Sequence, residues 1–300
     1  MIYPIEPIFN YRIWGGDFLK ASLNRSDIEG PIGEVFLVSA MPEFEADSII
    51  DGMGLQEFYE KHPEYFGLKV KHFPLRVNLI EAKDNLSVQL HPKKENLVNS
   101  ELPRGVEEVW YVVDAEENSE LVLGINSSNI DDIKRSITED KWESILCSLP
   151  AKKGDFAFLP AGSVHAIGKG CLIYEVTYNV DITYRLYDYN RVDKKTGKKR
   201  DLHHKEGLDN LNLEDKIELI NTAKGTTIID QNTGFKIEKI SCKDTLTIEQ
   251  DSFYFYTIIR GQGTINGMNT TLFGTYLVPK QQLEIELIGD FELLRVTYKE

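Results

Sequence analysis

The chain has 300 residues, 41% of them hydrophobic and 27% charged, with a formal net charge of −14. That length accommodates one large domain or two ordinary ones around a sizeable core. The acidic balance argues against nucleic acid or an anionic membrane as a partner, so any site for an anionic ligand has to be a local cluster of Lys or Arg.

The opening stretch, MIYPIEPIFNYRIWGG, has no basic segment followed by an apolar run, and no signal peptide is read from it. No run approaches the length of a membrane span. The three cysteines, Cys147, Cys171 and Cys242, are odd in number and widely spaced. They suggest no disulfide framework and no CxxC metal site, which leads to the expectation of a reduced, cytoplasmic setting. Residues 53–67, MGLQEFYEKHPEYFG, carry a helical pattern.

Strand signals dominate from there. PLRVNLIEA (74–82), NLSVQLHP (85–92), VEEVWYVVDA (106–115) and SELVLGI (119–125) are short apolar or alternating runs bounded by turn residues. A helix is predicted over 129–149, starting at an Asn129 cap with Asp131 and Asp132 in its first turn, where the helix dipole favours negative charge. It lies between strand clusters and reads as an insertion. GDFAFLPAG (154–162), GCLIYEVTY (170–178) and DITYRLYDY (181–189) resume the strand pattern. The densest basic patch, Lys194 to Arg200, reads as a solvated hairpin loop, with a substrate-facing role as the alternative. After about Gly225 a new series of strands begins, and it contains no histidine, the last two being His203 and His204. The expectation is a mainly β protein of sandwich or barrel type. Its larger part, 1–223, carries the chemistry, and a smaller β-domain, 224–300, lacks metal ligands.

The chemistry is suggested by residues from separate strands. Gln89 and His91 stand two apart, so their side chains share one face of a strand. Glu108 sits in an apolar context where an unpaired carboxylate would be costly to bury. His165 closes a G-x5-P-x-G-x2-H run from Gly154 through Pro160 and Gly162, whose glycines permit tight turns. Two imidazoles and a carboxylate suit a divalent metal such as zinc with an open position. They equally suit the Fe(II) facial triad of oxygenases, and spacing alone does not separate the two. His62, His72, His203 and His204 lack such context and read as surface or structural residues.

The G-x5-P-x-G-x2-H run resembles the second motif of the cupin superfamily. The wider stretches PLRVNLIEAKDNLSVQLHP, EEVWYVVDA, LPAGSVHAIGKG and DITYRLYDYNR, with the earlier YRIWGG and IGEVFLVSA, resemble the short bacterial and archaeal type I phosphomannose isomerases. The likeness spans most of residues 5–205 and is weaker beyond. It implies two cupin-type (jelly-roll) β-barrel domains with a helical insertion in the first. It also implies one zinc ion per chain, held by Gln89, His91, Glu108 and His165. By the same resemblance Arg185 is the catalytic arginine, Glu175 and Asp181 are active-site acids, and Ser87 and Arg191 contact the substrate's phosphate.

Two positions depart from the family pattern: Val106 and Asn78 stand where many members carry lysine. Arg76, two residues before Asn78 on the same strand face, is placed to compensate, and Lys94 is a further candidate for the phosphate. The implied reaction interconverts mannose 6-phosphate and fructose 6-phosphate through a cis-enediol. Arg185 would stabilise the developing charge. The base is left open among Glu175, Asp181 and a metal-bound water. A small sugar phosphate is the expected partner, with the protein a monomer or homodimer. A non-catalytic sugar-binding or regulatory cupin, and an isomerase for a related aldose or aldose phosphate, are the competing readings.

Overall fold

The computed structural model describes residues 1–97, 102, 104–139, 141–221, 234–298 and 300, together with the backbone of 228–230. The expected boundary at 223/224 lies outside the described residues. The architecture is mainly β. A central seven-stranded sheet runs Leu219–Asn221, Asp155–Leu159, Glu108–Ala115, Cys171–Tyr178, Leu75–Glu81, Ile32–Val38, Ile8–Gly16, every neighbouring pair antiparallel. A five-stranded antiparallel sheet runs Leu146–Pro150, Glu120–Ile125, His165–Ile167, Val88–Leu90, Tyr184–Tyr187.

The strands of the central sheet read as nearly continuous apolar runs because both faces are covered. On one face Val77, Leu79, Val109, Tyr111, Tyr174 and Val176 pack with Phe58, Phe66, Phe253 and Leu294. On the other, Ile80, Trp110, Val112 and Ile173 pack with Leu121, Leu123 and Ile167 of the five-stranded sheet. Continuing along this second face, the register aligns Glu108 with Thr177 and Thr177 with Arg76, and aligns Trp110 with Glu175 and Glu175 with Asn78. A polar row thus replaces the apolar one between the two sheets. The far side of the five-stranded sheet is sealed by Ile133 and Trp142 against Val88, Leu90, Val122 and Leu186.

The segment 129–149 is only partly helical. Asn129 caps the helix Ile130–Thr138, its Oδ1 accepting from the Asp131 amide at 2.9 Å. A single 3-10 turn, Trp142–Ser144, follows, and then Leu146–Pro150 pairs with Glu120–Ile125. A strand partner for residues 146–150 outweighs helical propensity there, because the neighbouring strand takes their backbone hydrogen bonds. The 53–67 segment is broken in two, Leu55–Lys61 and Pro63–Phe66. Pro63 has no N–H to continue a helix and holds His62 out of the helical region.

The long strands Phe235–Glu249, Tyr254–Ile265 and Glu284–Tyr298 build a further sheet. That sheet is completed by the other end of the chain, since Tyr3–Glu6 pairs with Thr275–Val278 and with Ile49–Ile50. Among the described residues no helix is long and apolar enough to cross a membrane.

Candidate active site

The two sheets enclose a cavity of about 520 Å³ whose walls include Gln89, His91, Glu108, His165, Glu175, Arg185 and Arg76. Its organisation follows from register. Gln89 lies directly between His165 on one neighbouring strand and Arg185 on the other. Glu108 faces this row from the central sheet, and His91 follows at the end of the Gln89 strand, its Cβ on the same face. Gly162 ties the two histidine segments together: its N–H donates to the His91 carbonyl at 2.8 Å, at a φ of +79°. A Cβ there would fall 2.2 Å from the Asn210 carbonyl, so glycine is required.

His91, Glu108 and His165 are buried, at 5%, 2% and 2% exposure, and their ligating atoms lie within 4.8 Å of one another. The hydrogen bonds assign both tautomers. His91 Nδ1 lies 2.7 Å from the Ile182 carbonyl, and His165 Nδ1 lies 2.9 Å from the Ser163 carbonyl. A carbonyl only accepts, so each Nδ1 carries the hydrogen and each Nε2 of a neutral ring presents a lone pair. Those lone pairs face Glu108: His91 Nε2 is 2.8 Å from Oε1, and His165 Nε2 is 3.7 Å from Oε2. Lone pairs converging on a carboxylate repel unless a cation stands among them, so the donor set fits a divalent metal. Gln89 adds a fourth donor. Its Nε2 is 3.5 Å from His165 Nε2 and its Oε1 accepts from Ser87 Oγ at 3.2 Å. A half-turn of the amide brings the oxygen to the imidazole side.

Without a metal, a proton takes the cation's place. Burial works against a charged His91, but Glu108 outweighs it and pushes His91 above the usual histidine value. Burial likewise opposes an ionised Glu108, yet His91, His165 and Arg76 hold it down at about 2. Burial, with His91 nearby, brings His165 down to about 4.

A second carboxylate sits behind the first. Burial, then repulsion from Glu108, pushes Glu175 up to about 8. Asn78 Nδ2 donates to Glu175 Oε1 at 2.7 Å, and Trp110 Nε1 donates to Glu175 Oε2 at 3.0 Å while lying 3.1 Å from Glu108 Oε2. One indole N–H therefore bridges the two acids. Asn78 is thus the partner of an acid rather than a free cation. Trp110, two residues from Glu108 on the same strand face, was available to the same spacing argument that selected Gln89 and His91.

Arg185 Nη1 donates to the Asp201 carbonyl at 3.0 Å, and its Nε lies 3.4 Å from Ser87 Oγ. Its backbone is pinned by His203, whose Nδ1 accepts from the Arg185 amide at 3.1 Å. Burial, with Arg200 and Arg12 adding like charge, lowers Arg185 from the usual arginine value. Arg76 is buried and lines the cavity; it donates to the Val180 carbonyl at 2.7 Å, and its Nε has no partner among the described residues. Asp181 is exposed at the cavity wall, next to the Ile182 carbonyl that orients His91. Val106 is buried, its N–H donating to the carbonyl of Pro92, the residue after His91, at 2.9 Å.

Two of the residues expected at the phosphate are not among the cavity walls. Lys94 donates to the Leu102 carbonyl. Arg191 is bound to Asp188 at 2.5 Å and to the Asn85 carbonyl. In contrast, Arg200, at the end of the basic run, does line the cavity, as do Arg12 and Glu34, joined at 2.6 Å. The remainder of that run, residues 194–199, is exposed.

A family model described as "Phosphomannose isomerase type I, catalytic domain" matches residues 2–130, a span that includes Gln89, His91 and Glu108. The mannose-6-phosphate isomerase of Streptococcus mutans is 32% identical over 275 residues, covering 87% of this chain and 87% of that protein. The mannose-6-phosphate isomerase ManA of Bacillus subtilis is 32% identical over 307 residues, covering 96% of this chain and 94% of its own. A crystal structure of the mannose 6-phosphate isomerase from Bacillus subtilis is similar with a TM-score of 0.85 at 26% identity, over 98% of this chain and 99% of that one.

Proposed function

This chain belongs to the type I phosphomannose isomerases, and we propose that it interconverts mannose 6-phosphate and fructose 6-phosphate with one zinc ion held by Gln89, His91, Glu108 and His165. The observation that carries the metal is the pair of bare imidazole nitrogens aimed at a single buried carboxylate. A divalent ion held there supplies a Lewis acid that polarises oxygens at the reacting end of the sugar.

The remaining steps belong to the chain's own residues. The proton that moves between C1 and C2 passes through the carboxylate of Glu175, which is buried, held by Asn78 and Trp110, and shifted toward the working pH. Asp181 at the cavity wall serves proton exchange with the sugar hydroxyls. Arg185 and Arg76 face the cavity with no carboxylate within ion-pair distance among the described residues, and they stabilise the enediolate as charge develops. Ser87, between Gln89 and Arg185, donates to the substrate. The enclosing sheets keep bulk water away from the enediol.

The chain is further proposed to comprise a metal-binding cupin barrel over residues 1–223 and a smaller cupin-like β-domain over 224–300. What supports this is the pair of facing antiparallel sheets around the site and the further sheet built mainly from the C-terminal strands.

An isomerase assay coupled to fructose 6-phosphate detection tests the reading. Turnover is expected with zinc-loaded protein, its loss on chelation, and its return on adding zinc. A metal-loaded protein inert toward mannose 6-phosphate would refute the assignment. Arg185→Ala is expected to keep the metal stoichiometry while lowering kcat by about 10²–10³-fold, the range for losing one preorganised charge-stabilising donor. Steady-state kinetics alongside metal analysis reads both, and an unchanged kcat removes Arg185 from the mechanism.

A further inference from the structure

The basic run that ends at Arg200 is left unexplained by the metal site. Its lysines are exposed, but Arg200 turns inward and forms part of the cavity wall near Arg185. It is held there by Asp188, a carboxylate only 5% exposed: Arg200 Nε donates to Oδ2 at 2.8 Å and Nη2 to Oδ1 at 2.5 Å. Arg191 donates to the same Oδ1 at 2.5 Å, and its Nη1 also lies 3.5 Å from the carboxylate of the exposed Asp84.

The two arginines are not equivalent. Arg191 spends its remaining donors on the Asp188 and Asn85 carbonyls, lies over the Tyr189 ring, and contributes nothing to the cavity wall. Arg200 has no hydrogen-bond partner for Nη1 among the described residues. Asp193, just before the run, accepts from the Tyr11 hydroxyl at 3.0 Å and from the Lys195 amide at 2.7 Å. A guanidinium fixed by a part-buried fork-to-fork contact, with Nη1 unengaged among the described residues, lines the cavity with Arg185 and Ser87; this is what recognition of a phosphate requires in a chain of net charge −14.

Resting on the isomerase reading, we propose that Arg200 is the specificity-determining residue for the substrate's phosphate. Asp188 is its positioning residue, and Arg191 acts through Asp188 rather than on the substrate. The fixed side of the fork faces Asp188 and the free side receives the phosphate oxygens.

The test uses the full-length, zinc-loaded protein with Arg200→Gln and Arg200→Lys. Steady-state kinetics on mannose 6-phosphate are paired with calorimetric binding of glucitol 6-phosphate, which has no carbonyl to isomerise, and of glucitol as its phosphate-free counterpart. Arg200→Gln is expected to raise KM and weaken glucitol 6-phosphate binding by about 10- to 100-fold, the cost of losing charge-assisted hydrogen bonds. kcat and glucitol binding stay within about threefold. Arg200→Lys, which keeps the charge and loses the fork, falls between, and it carries the test if the Gln variant does not fold. A kcat loss with unchanged KM, or equal binding of glucitol 6-phosphate by wild type and variants, overturns the assignment. Wild type that binds glucitol 6-phosphate through Arg200 but does not turn over mannose 6-phosphate overturns the isomerase reading alone. Wild type that does neither overturns both.

Discussion

Glu108→Gln is expected to weaken zinc binding by more than about a hundredfold and to abolish measurable turnover. Loss of a residue that merely orients a ligand costs about 10- to 100-fold in metal affinity, and Glu108 is the carboxylate on which both imidazoles converge. The substitution keeps the shape of the side chain, so the fold is not asked to close a cavity. What it removes is the negative charge that compensates a dication in a site excluded from water. Competition against a chromogenic chelator measures the affinity, and the coupled assay measures turnover. Retained stoichiometric zinc at micromolar free metal would show that the two histidines and Gln89 suffice, and the proposed ligand set would have to be redrawn. The metal-free forms provide a control. Glu108 raises His91 in the wild type, so His91 in the Gln variant should titrate at lower pH, which imidazole NMR shifts report.

The second large effect is expected from Glu175→Gln: a fall in kcat of about 10²–10⁴-fold with the zinc content unchanged, as for removal of a general acid–base group. The local structure can absorb the change. Both Glu175 oxygens accept an N–H, so the Gln amide would turn its NH2 toward one donor. Asn78 Oδ1 is buried with no partner among the described residues, and a flip of the Asn78 amide would supply the acceptor. The pH dependence carries a definite sign. Glu175 must be ionised to accept the proton, so the rate falls as pH drops through its value. In the absence of a cation that value is about 8, in part because of Glu108. Charge neutralisation of Glu108 by bound zinc removes that repulsion and moves the acidic limb of kcat/KM below 8. The limb should disappear from the residual activity of the Gln variant. A variant with full kcat and an unchanged acidic limb would transfer the base role to Asp181, whose replacement by Asn would then be decisive.

Much of the metal centre was legible because strand geometry is simple. A spacing of two selects one face, which paired Gln89 with His91, and a glutamate inside an apolar strand signals an obligatory partner. The arginine and asparagine in PLRVNLIEA follow the same logic, for Arg76 and Asn78 alternate with Val77 and Leu79, which pack on the opposite face. The helix over 129–149 was overextended because its second half finds a strand partner more than twenty residues earlier in the chain, which periodicity cannot register. Arg191 was expected at the phosphate from the resemblance to the family, and Lys94 as a further candidate cation. Which arginine of the 185–200 segment reaches the cavity depends on how Asp188 folds back between them, a contact of three residues on one side and twelve on the other.

By itself the amino-acid sequence determined the alternation of buried faces, the residue types offered as candidate metal donors and the absence of histidine from the C-terminal strands. These are local properties, set by side-chain chemistry and the two-residue period of a strand. Tertiary structure alone decided what meets across the cavity. It put His165 and Arg185 on either side of Gln89, one Trp110 N–H between two carboxylates, Arg200 rather than Arg191 at the wall, and Tyr3–Glu6 in the C-terminal sheet. Apart from Arg200, which the nearby Asp188 carboxylate places, each of these is a question of register between strands far apart in the chain. Register is settled by the summed packing of whole sheets rather than by any one residue's preference.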